Sequence, residues 1–277
     1  MVIHKSAMCA YFNIKSKIER YEKIVKSKVL IGCMTVVWLV LMANIIWRCT
    51  DGKWQVADAE KIGQLEVAKY TNQIMVVAVS SEDVSLCLFE CDVDVVEDEE
   101  LVGRQSDGEL QIHKNRDWKL VLETEATIGK NGLGKTKEGD GKTPVGVFSF
   151  VEAFGILENP GTKMEYIQVD EDDYWVDDSG SKYYNQFVAV DEVEADWKSA
   201  EHILEYGESY HYVLATSYNV ERLPGKGSAV FLHCTSEEAE ATAGCIAIPE
   251  VYMREIMKRV EPQCVLIIDK VENILRY

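Results

Sequence analysis

The sequence predicts a mainly β protein with accessory helices, preceded by one N-terminal transmembrane helix. From Ile74 onward, short runs of alternating apolar residues are separated by turn residues, which is typical of strands. Only two stretches of that region have apolar residues at helical spacing. A long uncharged apolar run precedes the strand-rich region. With 47% apolar and 27% charged residues, the 277-residue chain has the composition of a folded protein, which excludes disorder as its main state.

The uncharged run, residues 29–47, predicts a helix that spans a membrane. Its nineteen residues carry no charge, and at 1.5 Å per residue they extend roughly 28 Å, close to a bilayer core of about 30 Å. A buried helix of a soluble protein usually carries a polar stripe. A cleaved signal peptide usually has a shorter apolar region, of about 7 to 15 residues. The favoured interpretation is therefore an uncleaved anchor.

The flanking charges orient this anchor. Residues 1–28 hold seven basic and two acidic residues, so we expect them to form a cytoplasmic tail. The net charge of the whole chain is −18, which leaves −23 on residues 29–277. A surface this acidic repels phosphate backbones, so no nucleic-acid partner is expected. We expect a monomer whose function resides outside the cell membrane.

Beyond the anchor, residues 48–73 predict a polar stalk and residues 74–277 a folded domain. The acidic stretch 92–100 predicts a solvated hairpin loop, since it lacks the glycine-containing pattern of a calcium loop. Two helices are predicted, at 193–206 and at 249–260, the second beginning with a proline. The predicted strands are 74–79, 85–90, 109–113, 118–129, 145–150, 174–178, 210–218, 228–233 and 264–269.

The eight cysteines do not predict a disulfide framework. Cys87 and Cys91 lie in one predicted strand, where four residues extend about 13 Å, whereas a disulfide tolerates less than about 7 Å between Cα atoms. The spacing of Cys234, Cys245 and Cys264 matches no zinc motif. We therefore expect no metal site.

A histidine and a cysteine flank one loop near the carboxyl end. The run FLHC ends a predicted strand at His233, and Thr242-Ala243-Gly244-Cys245 leads into the next apolar run. An imidazole that takes the proton of a thiol is what cysteine acyl transfer needs. Backbone N–H groups of Ala243 and Gly244 are candidates for an oxyanion hole. Taken alone, a histidine and a cysteine at this spacing are more often core residues than a catalytic pair.

A second signal is the Gly- and Lys-rich loop 129–150, which leads through Thr143-Pro144 into a strand. It lacks the GxxxxGK[ST] order of a phosphate-binding P-loop. Together, several stretches resemble the YkuD-like L,D-transpeptidase family over roughly residues 74–270. They are the G-x-x-x-T-P-x-G-x-F pattern at 139–148, YWVDDSGSKYYNQFV at 174–188, Tyr218-Asn219 before PGKGSAVFLH, and His233 with TAGCIAI.

The resemblance implies a catalytic domain of mixed β-sheets at 74–277, with Cys245 as nucleophile and His233 as base. Family members hold this histidine partly through the residue that follows it, here Cys234, so backbone carbonyls are expected to do this instead. Thr242, Tyr218 and Asn219 are candidate substrate-binding residues. The commoner family ending has a second histidine before the Gly-Cys pair and an arginine two residues after the cysteine. This chain has Ala243 and Ala247 at these two positions. The identity of the peptide that donates the acyl group is therefore left open.

The function that this resemblance implies is cross-linking of peptidoglycan stem tetrapeptides in the cell wall, without metal or organic cofactor. The anchor would hold the catalytic domain outside the cell, facing the wall. Three alternatives stay open: an L,D-carboxypeptidase that uses water as acceptor, a wall-binding module that has lost catalysis, and a membrane-anchored cysteine peptidase that acts on proteins.

Overall fold

The computed structural model describes residues 59–92, 116–236 and 240–277. The α-helices are α1 (Ala59–Ile62) and α2 (Glu250–Arg259), and 3-10 helices cover Val67–Lys69, Ile203–Tyr210 and Val271–Arg276. The strands are β1 (Gln73–Val79), β2 (Val84–Cys91), β3 (Trp118–Glu125), β4 (Gly146–Gly155), β5 (Tyr166–Gln168), β6 (Asp173–Val176), β7 (Gln186–Ala189), β8 (Ala200–His202), β9 (Val213–Thr216), β10 (Phe231–Cys234), β11 (Ile246–Ile248) and β12 (Val265–Lys270). The protein is mainly β, as predicted.

Within the described ranges, nine strands form one sheet in the order β11-β10-β9-β4-β12-β1-β2-β3, with β5 paired to β4 beside this path. The pairs β1 with β12, β10 with β11 and β4 with β5 are parallel. The remaining pairs of this sheet are antiparallel. This large sheet is therefore mixed, in agreement with the prediction.

Strand β4 joins the two halves of this sheet. Residues 146–149 pair with β12, whereas residues 150–154 pair with β9. The register shifts between Phe150 and Glu152, where the strand carries an irregularity of the β-bulge kind. One strand thus serves both halves, and the half made of β9, β10 and β11 carries the candidate site.

A second, three-stranded sheet, β7-β6-β8, covers this site half. Its Trp175 packs on Phe231 of β10, with ring centroids 4.8 Å apart, and on Phe154 of β4 at 6.1 Å. These rings belong to a buried cluster that also contains Cys245. The candidate nucleophile therefore lies in apolar surroundings.

Helix α2 packs on the other face of the large sheet. Pro249 occupies its N-cap position, and Met253, Ile256 and Met257 are fully buried. Because these three residues follow helical spacing, one face of the helix is apolar and closes the main core. The predicted helix at 249–260 is confirmed.

Residues 59–73 lie against the domain. Ile62, Leu65 and Ala68 are buried, and the Glu66 N–H donates to the carbonyl of Tyr277 at 3.0 Å. The Thr71 hydroxyl donates to the carbonyl of Gln263 at 2.7 Å. The folded part therefore includes residues that the sequence assigned to the stalk.

The predicted helix at 193–206 is wrong. Residues 200–202 form β8, which pairs with β6, and the following turn is a 3-10 helix in which Gly207 has φ +51°. The backbone N–H and C=O groups of β8 bond to β6 instead of bonding within a helix. Contacts with a distant part of the chain therefore decide the structure here, although the apolar residues have helical spacing.

Several predicted segments lie outside the described residues. They are the cytoplasmic tail 1–28, the span 29–47, most of the acidic stretch 92–100 and the strand 109–113. In the part of the chain that the structure describes, no helix has both the length and the apolar character needed to cross a membrane.

Candidate active site

Two neighbouring strands present the predicted histidine and cysteine. His233 lies on β10 and Cys245 directly precedes β11, which runs parallel to β10 with Leu232 opposite Ile246. Both side chains line one cavity of about 400 Å³, together with Ala243, Gly244 and Thr242. Five of the seven residues singled out in the sequence thus share this cavity.

Thr143 of the Thr-Pro motif fixes the turn that carries Cys245. Its side chain is fully buried; the hydroxyl donates to the carbonyl of Gly244 at 2.9 Å and accepts the N–H of Gly129 at 2.9 Å. Gly244 has φ +150°, and a Cβ there would lie 2.7 Å from the carbonyl oxygen of Lys142. Close contact between this loop and the cysteine turn therefore requires glycine at 244.

Thr242 bonds the same turn from within. Its hydroxyl donates to the carbonyl of Cys245 at 2.7 Å and accepts the N–H of Gly244 at 3.1 Å. Thr242 therefore shapes the turn. The Gly244 N–H would have to exchange this bond in order to serve an oxyanion.

The Cys245 thiol is hydrogen-bonded to backbone. It donates to the carbonyl of Ala229 at 3.1 Å and accepts the N–H of Phe231 at 3.4 Å. Burial, together with the nearby Glu201 carboxylate, raises the pKa of the thiol to about 12, although the Phe231 N–H and the Lys135 ammonium lower it in part. In this resting state Cys245 is a protonated thiol.

The backbone that holds this thiol has an uncommon conformation. Ala229 has φ +51°, a region that residues with a Cβ rarely adopt. Its N–H donates to the side-chain oxygen of Asn185 at 3.1 Å, which also accepts the indole N–H of Trp175 at 3.1 Å. The 174–188 stretch therefore positions the carbonyl to which the thiol donates.

His233 is buried and neutral at physiological pH. Its Nδ1 lies 2.8 Å from the carbonyl oxygen of Cys234, and its ring packs edge-on against Tyr210 with centroids 5.4 Å apart. Burial lowers its pKa, and the carbonyls of Cys234 and Ser209 raise it only in part. A tautomer with Nδ1–H donating to Cys234 leaves Nε2 as a proton acceptor. A backbone carbonyl thus contacts the imidazole where the sequence suggested one.

The cavity also contains acidic residues, of which sequence reasoning missed Glu201. The Glu201 carboxylate accepts the hydroxyl of Tyr210 at 2.7 Å. Burial, with a smaller contribution from Asp177 and Glu138, raises its pKa to about 7, although the bond from Tyr210 lowers it in part. Asp177 lines the same cavity, and its Oδ1 is buried without a hydrogen-bond partner among the described residues. Glu201 lay within the wrongly predicted helix, so no strand pattern pointed to it.

Tyr218 and Asn219 line a second cavity, of about 580 Å³. The Tyr218 hydroxyl donates to the carbonyl of Lys226 at 2.8 Å. The Asn219 amide donates to the carbonyls of Leu223 and Gly227, at 3.1 and 2.8 Å, so it builds the loop that follows it. Lys135 lines both cavities.

The other histidines of the described ranges, His202 and His211, and the Asp178 carboxylate do not line this cavity. His202 stacks on Tyr174 with centroids 4.5 Å apart, and His211 Nδ1 lies 2.8 Å from a carboxylate oxygen of Glu250. Asp178 accepts the N–H groups of Gly180 and Lys198, each at 2.8 Å. Within the described ranges, no group of three or more His, Cys, Asp or Glu side chains is arranged to hold a metal ion.

Comparisons with known proteins identify one family. The model of the L,D-transpeptidase catalytic domain, YkuD, matches residues 106–268. Among solved structures, the chain is similar to the helical cell shape determining protein Pgp2 from Campylobacter jejuni, with a TM-score of 0.38 and 13% identity over 79% of this chain and 58% of that one. A point mutant of the same protein gives a TM-score of 0.37 and 14% identity over 79% and 57%. The chain thus spans less than two thirds of the length of these neighbours. No curated protein matches it in sequence.

Proposed function

Because the chain belongs to the YkuD family of L,D-transpeptidase catalytic domains, we propose that it is a cysteine acyltransferase that acts on stem peptides of peptidoglycan. The observation that carries this proposal is that His233, on β10, and Cys245, directly before the neighbouring parallel strand β11, line one cavity. The fold itself hosts several activities, so the proposal rests on this site.

In the first half-reaction, the donor is a tetrapeptide stem cut between its third residue, a diamino acid, and the terminal D-alanine. His233 accepts the proton of the Cys245 thiol as the sulfur attacks the carbonyl carbon, and the carbonyl π electrons move to oxygen. Collapse of this tetrahedral intermediate breaks the C–N bond. His233 then donates the proton to the departing amine of D-alanine, which leaves a thioester on Cys245.

The protonation states of His233 and Cys245 before substrate binds suit this order of steps. The low pKa of buried His233 keeps the imidazole neutral and able to accept a proton. The pKa of Cys245, about 12, means that the thiol loses its proton only during attack. Docking of a substrate carbonyl near Sγ would displace the bond from the thiol to Ala229 and direct its proton toward His233.

In the second half-reaction, the side-chain amine of a neighbouring stem attacks the thioester. His233 removes a proton from this amine, the C–N bond forms, and the C–S bond breaks to regenerate the thiol. The product is a cross-link between the third residues of two stems. Water in place of the amine would release a tripeptide stem, which is the carboxypeptidase outcome.

Purified full chain, kept in detergent, and its Cys245→Ala variant should be incubated with a disaccharide-tetrapeptide. Protein mass and muropeptide products are followed by mass spectrometry. The matched control is Cys264→Ala, which removes a fully buried thiol directly before β12. We expect a thioester adduct and cross-linked dimers from the wild-type protein and from the control, and neither from Cys245→Ala.

The other outcomes separate the alternatives. Tripeptide and D-alanine without dimers would make the enzyme a carboxypeptidase. Digestion of an unfolded protein would favour the peptidase alternative. Absence of both adduct and product from the folded wild-type chain would contradict acyl transfer and favour a catalytically silent wall-binding module.

We propose further that residues 29–47 anchor the chain in the cell membrane, with residues 1–28 in the cytoplasm and the catalytic domain facing the wall. The support is the uncharged run and its basic flank. Protease added to intact cells stripped of their wall should remove the catalytic domain. Resistance of the domain until the cells are lysed would reverse this orientation.

A further inference from the structure

A buried lysine lies beside the cysteine turn. The Lys135 side chain is 3% exposed and that of its partner Asp140 is 6% exposed. Lys135 belongs to the glycine-rich loop that the sequence singled out, yet it lines the cavity with Cys245. A buried ammonium requires compensation, and most buried lysines are paired for this reason.

Asp140 supplies this compensation and is itself strongly held. Its Oδ1 accepts from Lys135 Nζ at 3.3 Å and from the N–H of Lys142 at 3.1 Å, while Oδ2 accepts the N–H groups of Thr136 and Lys137. Burial raises the pKa of Asp140, but the backbone bonds and Lys135 outweigh it and lower the pKa to about 2. The carboxylate is therefore ionised, and three backbone bonds hold it in place.

Two glycines form a slot for the lysine. At Gly227, which has φ +120°, a Cβ would lie 2.4 Å from Lys135 Cε. At Gly244, a Cβ would lie 3.5 Å from Lys135 Nζ. The ammonium thus reaches the residue directly before Cys245. The lack of a side chain at both positions gives it room to do so.

The charge at this position has a chemical consequence. Burial and the nearby Glu201 carboxylate raise the pKa of the Cys245 thiol, whereas the Lys135 ammonium lowers it. The tetrahedral intermediate of acyl transfer also places negative charge close to the nucleophile. Among the described residues that line the cavity, Lys135 is the one lysine or arginine, and the acidic residues are Glu138, Asp177 and Glu201.

We propose that Lys135, held by Asp140 between Gly227 and Gly244, supplies the positive charge that stabilises the Cys245 thiolate and the oxyanion formed on acylation. The part that concerns the oxyanion rests on the proposed acyl transfer, whereas the part that concerns the thiolate does not. The alternative role is a purely structural one, in which the Lys135–Asp140 pair only holds the loop.

Alkylation of Cys245 tests the thiolate part without any substrate. The full chain in detergent is treated with iodoacetamide at pH 8, and modification of the peptide that contains Cys245 is followed by mass spectrometry. The rate is proportional to the thiolate fraction. For Lys135→Met we expect a rate about ten-fold below that of the wild type, because one nearby charge shifts a pKa by about one unit or more. Lys135→Arg should retain the rate, since it keeps the charge.

The matched control is Lys137→Met, on the same loop with an exposed side chain. This variant should alkylate at the wild-type rate. Thermal unfolding of each variant separates loss of charge from loss of fold. A folded Lys135→Met variant with the wild-type alkylation rate would overturn the proposal. If that variant unfolds, a folded Lys135→Arg variant whose rate falls as much as ten-fold would overturn it as well.

The disaccharide-tetrapeptide assay then separates the two proposals. If Lys135→Met slows acylation by a larger factor than it slows alkylation, the oxyanion part of the proposal is supported. If both rates fall by the same factor, that part is overturned. If the wild-type chain gives no product but the alkylation rate still depends on Lys135, the substrate assignment fails while the role of Lys135 at the thiolate stands.

Discussion

Replacing Thr143 by valine should destabilise the protein and slow its reaction together. Valine keeps the shape of threonine but removes the hydroxyl that donates to Gly244 and accepts from Gly129, both at 2.9 Å. Thr143 is 0% exposed, so neither backbone group gains water in exchange. Leaving a buried polar group unsatisfied costs about 1 to 3 kcal/mol. For two such groups we expect about 2 to 4 kcal/mol less free energy of unfolding in the folded domain.

Urea unfolding followed by circular dichroism measures this loss from the transition midpoint and its slope. Thr143→Ser is the matched variant, because it retains both hydrogen bonds and should lose only about 1 kcal/mol for one buried methyl group. The turn before Cys245 should also loosen in Thr143→Val, with product formation about ten- to hundred-fold slower. If Thr143→Val were as stable as Thr143→Ser, the Thr-Pro motif would not hold the nucleophile turn in the way described.

Two further changes probe the same cavity. Gly244→Ala should lose about 1 to 3 kcal/mol in urea unfolding, because of the positive φ and the nearby Lys142 carbonyl; a loss no larger than that of the exposed Gly180→Ala control would contradict the close contact. Glu201→Gln keeps the bond from Tyr210 but removes a charge, so Cys245 should alkylate faster at pH 8 than in the wild type. Since the pKa of Glu201 is raised to about 7 in the folded state, its contribution to stability is present below its ordinary pKa of about 4.5 and is lost as pH rises through 7. The melting temperature of Glu201→Gln should therefore exceed that of the wild type at pH 8, and the difference should disappear near pH 4, below the ordinary pKa; an equal difference at both values would contradict this assignment.

Local pattern was sufficient for much of the fold. Alternation of apolar residues predicted strands such as β1 and β12, and a proline followed by apolar residues at helical spacing predicted α2. It failed at 193–206, because the structure there depends on pairing with β6, a contact between distant parts of the chain.

Some residues of the candidate site could likewise be predicted from local sequence, and others could not. His233 and Cys245 flank one short loop, so their common position could be predicted from spacing and family resemblance. Lys135 and Glu201 come from loops and strands far away in sequence, and nothing local marks either of them as a neighbour of the thiol. Tyr218 was named from its place in a motif, yet it lines the second cavity, because the direction of a side chain depends on how its loop folds.

The protonated state of the Cys245 thiol also bears on its survival. Oxidants and disulfides react with the thiolate far faster than with the thiol, so a nucleophile with a pKa of about 12 is a slow target while no substrate is bound. Outside the cytoplasm, where we propose that the domain lies, no reducing pool of glutathione restores an oxidised cysteine. Burial among Phe154, Trp175 and Phe231 thus slows the reaction of Cys245 with oxidants and disulfides while no substrate is bound. The same burial protects the sulfur from sulfenic acid formation between turnovers.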